Sequence, residues 1–209
     1  MNVLYNIYMK KFWSLIRRSR FMILSLIVVC GIVASVELYS GRSPLGPDGK
    51  FGWWDNDVWS SENSQRVADA YSFSHIIHGM IFYGFLWLIA KKMPGRFPMR
   101  YRFLIALVLE AGWELLENSP LIINRYREAT IALGYVGDSV LNSTADVIMA
   151  GIGFVMARFS KVWITILLII VFELGCLFWV RDNLTLNVLM LVHPVESIKV
   201  WQSEGHVAK

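Results

Sequence analysis

The chain has 209 residues, 56% of them hydrophobic, a mean hydropathy of +0.48 and a formal net charge of +4. Soluble domains contain roughly 45–50% apolar residues, so this composition argues against a soluble globular protein. The positive charge does not indicate nucleic-acid binding, because the basic residues form short stretches beside apolar blocks, as they do in membrane proteins. We therefore expect the lipid bilayer, and no nucleic acid, as a partner.

Five apolar blocks have about the 20 residues that a helix needs to cross ~30 Å of hydrocarbon. They are Phe21–Tyr39, Phe73–Ala90, Phe103–Ile122, Val136–Ala157 and Val162–Val180. These blocks predict an all-α fold, an integral membrane helical bundle with about five transmembrane helices. The first block has the length of a span and no A-x-A site follows it, so we expect a span there and not a cleaved signal peptide.

Lysine and arginine predict how the blocks are oriented. They cluster before the first block, between the second and third blocks at 91–102, and between the fourth and fifth blocks at 158–161. An alternating topology puts these three segments on one side of the membrane, and the positive-inside rule identifies that side as the cytoplasm.

This topology divides the chain into three parts. We expect a cytoplasmic basic N-terminus at 1–20, a single transmembrane domain at 21–193 with an outer loop at 40–72, and an external C-terminal tail at 194–209. The segment Ile123–Tyr135 is expected to be a second outward loop. The apolar run Leu184–Val192 is too short to cross and is expected to lie at the membrane interface.

Ionisable and amide side chains inside the blocks mark a candidate site. A charged residue at the centre of a span costs ~2.5–3.5 kcal/mol, so such residues are functional candidates. They recur at helical spacing, which puts each set on one helix face, and the rise of about 1.5 Å per residue brings the sets to a similar depth in the outer half of the bilayer. We expect a pocket open to the outside, formed by His75, His78, Glu110, Glu114, Glu117, Asp138, Asn142 and Asp146.

The carboxylates of this set are not balanced by basic residues, because the central parts of the blocks contain no lysine or arginine. Three arrangements resolve the imbalance, and the sequence leaves them open. Some carboxylates carry a proton, or a divalent metal such as zinc lies among them with His75 and His78 as ligands. In the third arrangement, Arg125 and Arg127 fold down from the adjoining loop and pair with them.

A structural role is the alternative to a functional site. Polar side chains join transmembrane helices by hydrogen bonds, and small residues such as Ser139, Ser143, Ala150 and Gly153 let helices approach closely. This role suits a single residue such as Asn142. It explains the complete set poorly, since uncharged residues would join the helices at a lower cost. The sequence therefore favours a functional site.

Several longer motifs carry a resemblance to a known family. They are the FSHIIHG motif at Phe73–Gly79, the EAGWELLENSPLIINRYREAT motif at Glu110–Thr130 and the GDSVLNSTAD motif at Gly137–Asp146. With the WSSENSQ stretch and the HP…WQ ending, they resemble an uncharacterised family of bacterial multi-pass inner-membrane proteins, uncharacterised protein family 0314, or domain of unknown function 2585. The resemblance covers most of the chain from about Trp53 onward. It implies a bacterial inner-membrane location and no established activity.

Three functional hypotheses follow. The first is a metal-dependent hydrolase or transferase that acts on a lipid or an envelope precursor. Its metal ligands would be His75 and His78, its catalytic carboxylates Glu114, Glu117 and Asp146, and its substrate-binding residues Arg125, Arg127 and Asn142.

The second hypothesis is a proton- or ion-coupled carrier or sensor that uses the same carboxylates as a relay. The third is a non-enzymatic membrane assembly partner, in which the polar faces only join helices. Because no HExxH or other known catalytic motif is present, the sequence leaves open whether the protein is an enzyme.

Overall fold

In a computed structural model, the chain is described at residues 2–130 and 134–207, and its side chains from Ser19 to Glu204 within those ranges. The described part contains eight helices and one isolated bridge, between Trp54 and Ala68. The helices are α1 (Asn2–Tyr39), α2 (Ser72–Lys92), α3 (Met99–Glu117), α4 (Pro120–Ala129), α5 (Val140–Phe159), α6 (Val162–Val180), α7 (Leu184–Val192) and α8 (Glu196–Val207). The predicted all-α class is confirmed.

Within the described residues, four helices are long and apolar enough to cross a membrane: the part of α1 at Ser19–Tyr39, together with α2, α5 and α6. The predicted third span, α3, has 19 residues but carries two arginines and three glutamates. It nevertheless extends beside α1 over much of its length. The ring of Tyr101 contacts that of Phe21, and Asn118, just after α3, donates a hydrogen bond to Glu37. The chain is thus a helical membrane bundle in which α3 lies parallel to α1.

The long helices alternate in direction. Tyr83 of α2 and Phe103 of α3 both contact Phe154, near the C-terminus of α5, so α5 runs parallel to α2 and antiparallel to α3. The basic segments at 91–102 and 158–161 consequently lie at one end of the bundle, here called the basic end. Residues 40–72 lie at the opposite end, here called the loop end.

Close contact between α2 and α5 depends on two glycines. A Cβ atom on Gly79 would lie 1.9 Å from the carbonyl oxygen of Ala150, and one on Gly153 would lie 2.0 Å from that of Ile76. Both obstacles are backbone atoms, so only glycine permits this helix separation. An apolar core forms around Leu107 with the other buried residues Val29, Val33, Leu86, Phe103, Ala106, Ala111, Val147 and Phe154.

The segment Ile123–Tyr135, predicted to be an outward loop, is not a loop over most of its described length. Most of it belongs to α4, and its residues 131–133 lie outside the described part of the chain. Proline lacks a backbone N–H and is favoured in the first turn of a helix, so Pro120 begins a new helix after α3 ends at Glu117. The third helix therefore ends five residues before the predicted boundary at Ile122.

Two other boundaries differ from the prediction. The fourth span begins at Val140 and not at Val136, because Gly137 has φ +90 and Ser139 caps the helix by accepting a hydrogen bond from the backbone N–H of Asn142. The C-terminal segment predicted to be a tail is largely helical, as α8. The short apolar run Leu184–Val192 is helix α7, with the predicted bounds.

Candidate functional site

The first part of the site is formed by two histidines of α2 and a glutamate of α3. His75 and His78 lie on the face of α2 towards α3. The Nδ1 atom of His75 lies 2.6 Å from Oε1 of Glu110, and the Nδ1 atom of His78 lies 3.1 Å from the same oxygen. Glu110 has no exposed surface. One buried carboxylate therefore bridges both imidazole rings.

Glu114 lies one turn further along α3 and is also fully buried. Its Oε1 atom is 3.2 Å from Nδ1 of His75, yet neither of its carboxylate oxygens forms a hydrogen bond within the described part of the chain. Burying an ionised carboxylate without partners carries a large desolvation cost. Glu114 therefore requires a bound proton or a nearby cation.

Asp146 of α5 lies on the other side of His75. Its Oδ2 atom is 3.7 Å from Nε2 of His75, and its Oδ1 atom accepts a hydrogen bond of 3.3 Å from Ser72. The histidine ring thus separates the glutamates of α3 from the aspartate of α5. The prediction that the polar faces of α2, α3 and α5 pack together is confirmed.

The donor atoms are close enough to share a metal ion. One nitrogen or oxygen from each of His75, His78 and Glu110 lies within 4.8 Å of the others, and so does one from each of His75, Glu114 and Glu117. Zinc bonds to these atom types are about 2.0–2.2 Å long, which separates tetrahedral ligands by about 3.3 Å. The ligand types fit a zinc site, and Glu110 joins the two histidines as a ligand that the sequence does not single out.

A second polar network holds the loop ends of three helices together. The side-chain amide of Asn118 donates hydrogen bonds to Glu37 of α1 at 2.9 Å and to Ser143 of α5 at 2.9 Å. Its oxygen accepts one from the backbone N–H of Asp138 at 2.7 Å and one from Arg42 at 3.3 Å. This network ties α1 to α5 beside the histidine cluster.

A cavity of about 470 Å³ lies against the histidine cluster, within the range of typical ligand sites. Carboxylates and aromatic rings are prominent in its wall, and no lysine or arginine of the described chain lines it. The acidic lining residues are Glu117, Asp138, Asp146 and Asp182, and the aromatic ones, besides the two histidines, are Trp59, Tyr71, Phe82, Trp113, Tyr126 and Tyr135.

The aspartates near the loop end are bound by tyrosines. The hydroxyl of Tyr135 donates to Asp138 at 2.8 Å, and that of Tyr71 donates to Asp182 at 3.2 Å. Asp182 also accepts a hydrogen bond of 3.1 Å from Gln202 of α8. Burial raises the pKa of Asp182 to about 6, although these hydrogen bonds lower it in part.

The structure does not bring Arg125 and Arg127 to the cluster. The Nε atom of Arg125 donates to the carbonyl of Leu191, and that of Arg127 donates to the carbonyl of Tyr135. The reason is the register of α4, which buries Tyr126 and turns its two neighbours away from the cavity. The arrangement in which these arginines neutralise the carboxylates is therefore not observed.

Each remaining predicted residue lies in or beside the cavity. His75, His78, Glu117, Asn142 and Asp146 line it, whereas Glu114 lies behind His75. The Nδ2 atom of Asn142 donates to the carbonyl of Arg66 at 2.9 Å, so this amide also fastens the loop at 40–72 to α5. The sequence analysis includes Glu110 in the pocket but gives it no role as a ligand. Its i, i+4 spacing to Glu114 is the sequence feature that indicates a position on the same helix face.

The fold and the site together define a class: an all-helical membrane bundle with a buried histidine–carboxylate cluster beside a cavity. The family model described as "Protein of unknown function (DUF2585)" matches residues 37–204. This chain belongs to the DUF2585 family.

Relatives with the family name UPF0314 cover nearly the same length. The chain is 51% identical over 174 residues to a UPF0314 protein of Sphingopyxis alaskensis, which covers 83% of this chain and 90% of that protein. It is 48% identical over 189 residues to the UPF0314 protein RL4541 of Rhizobium johnstonii, which covers 90% of this chain and 95% of that protein. No solved structure matches the chain significantly.

Proposed function

We propose that this protein is a multi-pass inner-membrane hydrolase or transferase that uses a divalent metal, most simply zinc, and acts on a lipid or an envelope precursor. The observation that carries the proposal is the pair of three-residue ligand sets that share His75, at the wall of the cavity. The carboxylate of Glu114, fully buried and without a hydrogen bond in the described part of the chain, supports a cation at the same place.

Each residue has a chemical role in this proposal. His75, His78 and Glu110 would hold the metal, which would supply Lewis-acid activation of a water molecule. Glu117 lines the cavity and would act as the general base. Glu114 and Asp146 lie on opposite sides of His75 and orient its ring. Asn142 contacts the substrate from the loop end of the cavity.

The orientation in the membrane is part of the proposal. The basic end carries the lysines and arginines at 91–102 and 158–161, so we place it in the cytoplasm together with the N-terminus. The loop end, with residues 40–72, then faces outward. The cavity lies in the outer half of the bilayer, where a lipid or an envelope precursor can reach it.

Metal analysis of purified protein tests this proposal. The protein is produced with a tag that lacks histidine, and zinc is measured by mass spectrometry in wild type, His78→Ala and Glu110→Gln. We expect about one zinc per wild-type chain and loss in both variants. His193→Ala is the matched control, because His193 is exposed and lies outside the cavity. Folded, functional protein without metal would contradict the proposal.

The hydrolase activity needs its own assay. Wild-type protein is incubated with lipid vesicles, and released products are identified by mass spectrometry with and without a chelator. Products that depend on both metal and Glu117 support the proposal. Turnover that is unchanged by chelation or by Glu117→Gln would contradict the assigned chemistry.

A proton relay is the second candidate, and one observation favours it. Titratable groups form a continuous series from His78 through Glu110 and His75 to Asp146. A relay needs this series without a metal, so it predicts proton transport in liposomes by metal-free protein. An assembly partner predicts neither metal nor proton movement, and tolerates Glu114→Gln and Asp146→Asn.

A further inference from the structure

The exposed residues of the cavity wall show where the cavity opens. Leu109 and Leu116 of α3 are each 45% exposed, and Val188 of α7 is 47% exposed, although all three line the cavity. Gly112, between the two leucines, is also an exposed lining residue. All four are apolar. The mouth of the cavity is therefore an apolar opening at the side of the bundle, between α3 and α7.

The loop end of the cavity is more closed. Ser64 and Asp138 line it there and are buried, with exposures of 8% and 6%. Ser64 is fixed by its backbone N–H, which donates to Asp69 at 2.9 Å, and by its carbonyl, which accepts from the backbone N–H of Ser139. These bonds fix residues 58–64 over the loop end of the cavity, and the most exposed lining residues lie at the side of the bundle.

The composition of the wall changes along the depth of the bundle. Near the loop end, the rings of Tyr126 and Tyr135 are 5.2 Å apart at 74°, beside Asp138. His75 and His78 follow, one and two turns into α2. Phe82 of α2 and Leu109 of α3 lie deeper, Phe82 being about 15 Å below Ser72 at the rise of an α-helix. The acidic residues and tyrosines thus lie towards the loop end, where Leu116 and Val188 also line the wall, and the part below the histidines is apolar.

This order matches one class of molecule. Aromatic rings and carboxylates together recognise ammonium groups, through cation–π and ion-pair contacts. A wall without lysine or arginine gives no complement to an anionic headgroup. The apolar inner part and the side mouth suit acyl chains that come directly from the bilayer.

We propose that the cavity binds a phospholipid with a choline or ethanolamine headgroup, which enters from the bilayer through the opening at Gly112. The ammonium group lies among Tyr126, Tyr135 and Asp138. The ester and phosphodiester bonds lie level with His75 and His78, and the acyl chains pass Phe82 and Leu109 into the membrane. This proposal rests on the proposed function for the choice of cavity, and it names the substrate class of that site.

Headgroup preference tests the proposal. Detergent-purified protein with its metal is titrated by native mass spectrometry with phosphatidylcholine, phosphatidylethanolamine and phosphatidylglycerol of identical acyl chains. We expect at least about tenfold tighter binding of the first two, which corresponds to ~1.4 kcal/mol. Free choline is a separate arm and is expected to bind far more weakly than the lipid. Equal binding of all three lipids, or tight binding of free choline, would overturn the proposal.

A substitution at the mouth tests the route of entry. No atom lies within 4 Å of a Cβ added to Gly112, so Gly112→Phe is expected to fold and to fill the opening. We expect it to lose phosphatidylcholine binding at least tenfold while its zinc content stays at the wild-type value. Gly84→Phe is the matched control, since Gly84 on α2 also has open space and does not line the cavity. Unchanged lipid binding by Gly112→Phe would refute the side entry.

The two proposals fail separately. If the protein binds zinc but shows no preference for choline and ethanolamine lipids, the metal site stands and the lipid assignment is refuted. If the protein prefers these lipids but binds no metal, the lipid assignment stands and the metal-dependent chemistry is refuted.

Discussion

The two faces of α2 make different kinds of contact. The face towards α5 carries Ile76 and Gly79, where backbones approach so closely that a side chain is excluded. The face towards α3 carries His75 and His78, which meet buried carboxylates beside a cavity. The first face contains what helix packing requires, namely small residues and apolar neighbours. The second face contains ionisable groups, which packing does not require.

This difference separates structure from function within one helix. If polar side chains were needed to join α2 to the bundle, the glycine contact with α5 would be superfluous. Because that contact already fixes α2, the histidine–carboxylate face can carry a cost in stability and serve a ligand. Changes on the α5 face should therefore destroy the fold, and changes on the α3 face should destroy function first.

The largest effect is expected at the glycine contact. Gly79→Leu and Gly153→Leu place a side chain against backbone carbonyls 1.9 and 2.0 Å from the new Cβ. Overpacking of this kind costs at least ~1–3 kcal/mol, and here the obstacle cannot rotate away. We expect most folded protein to be lost, as measured by membrane abundance and by size-exclusion chromatography in detergent.

Gly84→Leu on the same helix controls for helix propensity and hydrophobicity, because a Cβ there meets nothing within 4 Å. It should accumulate at wild-type levels. Normal folding of both contact variants would show that α2 and α5 are not held in the described way.

A large functional effect without unfolding is expected for Glu114→Gln. The amide is nearly isosteric, and removal of a buried charge makes insertion easier. An amide cannot supply a charged ligand or titrate, so we expect activity to fall at least ~10–100-fold, as for residues that support metal sites. The measurement is complementation of a deletion strain, with membrane levels determined in parallel.

Glu128→Gln is the control for that substitution, since Glu128 is exposed on α4 and away from the cavity. Full complementation by Glu114→Gln and by Asp146→Asn, at normal protein levels, would favour the assembly role.

A moderate loss of stability is expected for Asn118→Ala. The substitution removes the hydrogen bonds to Glu37, Ser143 and the backbone of Asp138, and it leaves buried polar atoms unpaired. Such a loss lowers the free energy of unfolding by ~1–3 kcal/mol. Thermal denaturation in micelles measures it, with Asn124→Ala at an exposed position as the comparison. Equal melting temperatures would mean that this network does not hold the loop ends.

The smallest effect concerns pH. Because burial raises the pKa of Asp182 from 3.8 to about 6, the folded state binds the proton more tightly than the unfolded state. Stability from this group is present at low pH and is lost as pH rises towards 6. Asp182→Asn should therefore remove part of the gain in melting temperature between pH 7 and pH 5.

Asp48→Asn is the control: Arg66 lowers the pKa of the Asp48 carboxyl, so this group stays ionised between pH 5 and pH 7, and its replacement should leave the difference in melting temperature unchanged. A wild-type pH profile in the Asp182→Asn variant would contradict the assignment of this group.

Much of the site could be predicted because helical spacing shows which residues share a face. His75 and His78, the acidic row of α3 and Asp146 were grouped in this way, and tertiary packing brings those faces together. The relative depth of these side chains is predictable because each helix rises by a constant amount per residue.

Other features depend on tertiary contacts that a single helix does not encode. The sequence pattern of α4 predicts a loop, since its one buried face is short and consists of Ile123, Tyr126 and Ala129. Arg125 and Arg127 are close to the acidic residues in sequence, and the rotation of α4 turns them elsewhere. The side mouth of the cavity arises between α3 and α7, which are far apart in the chain.

The most direct test of the central claim, that the α3 face of α2 serves a metal and not the fold, is the position of zinc in an experimental structure. Crystals of stoichiometrically loaded protein are measured at and below the zinc absorption edge. The account predicts an anomalous peak about 2.0–2.2 Å from a ring nitrogen of His75, from one of His78 and from a carboxylate oxygen of Glu110. The absence of any peak at this cluster, in protein that complements the deletion strain, would contradict it.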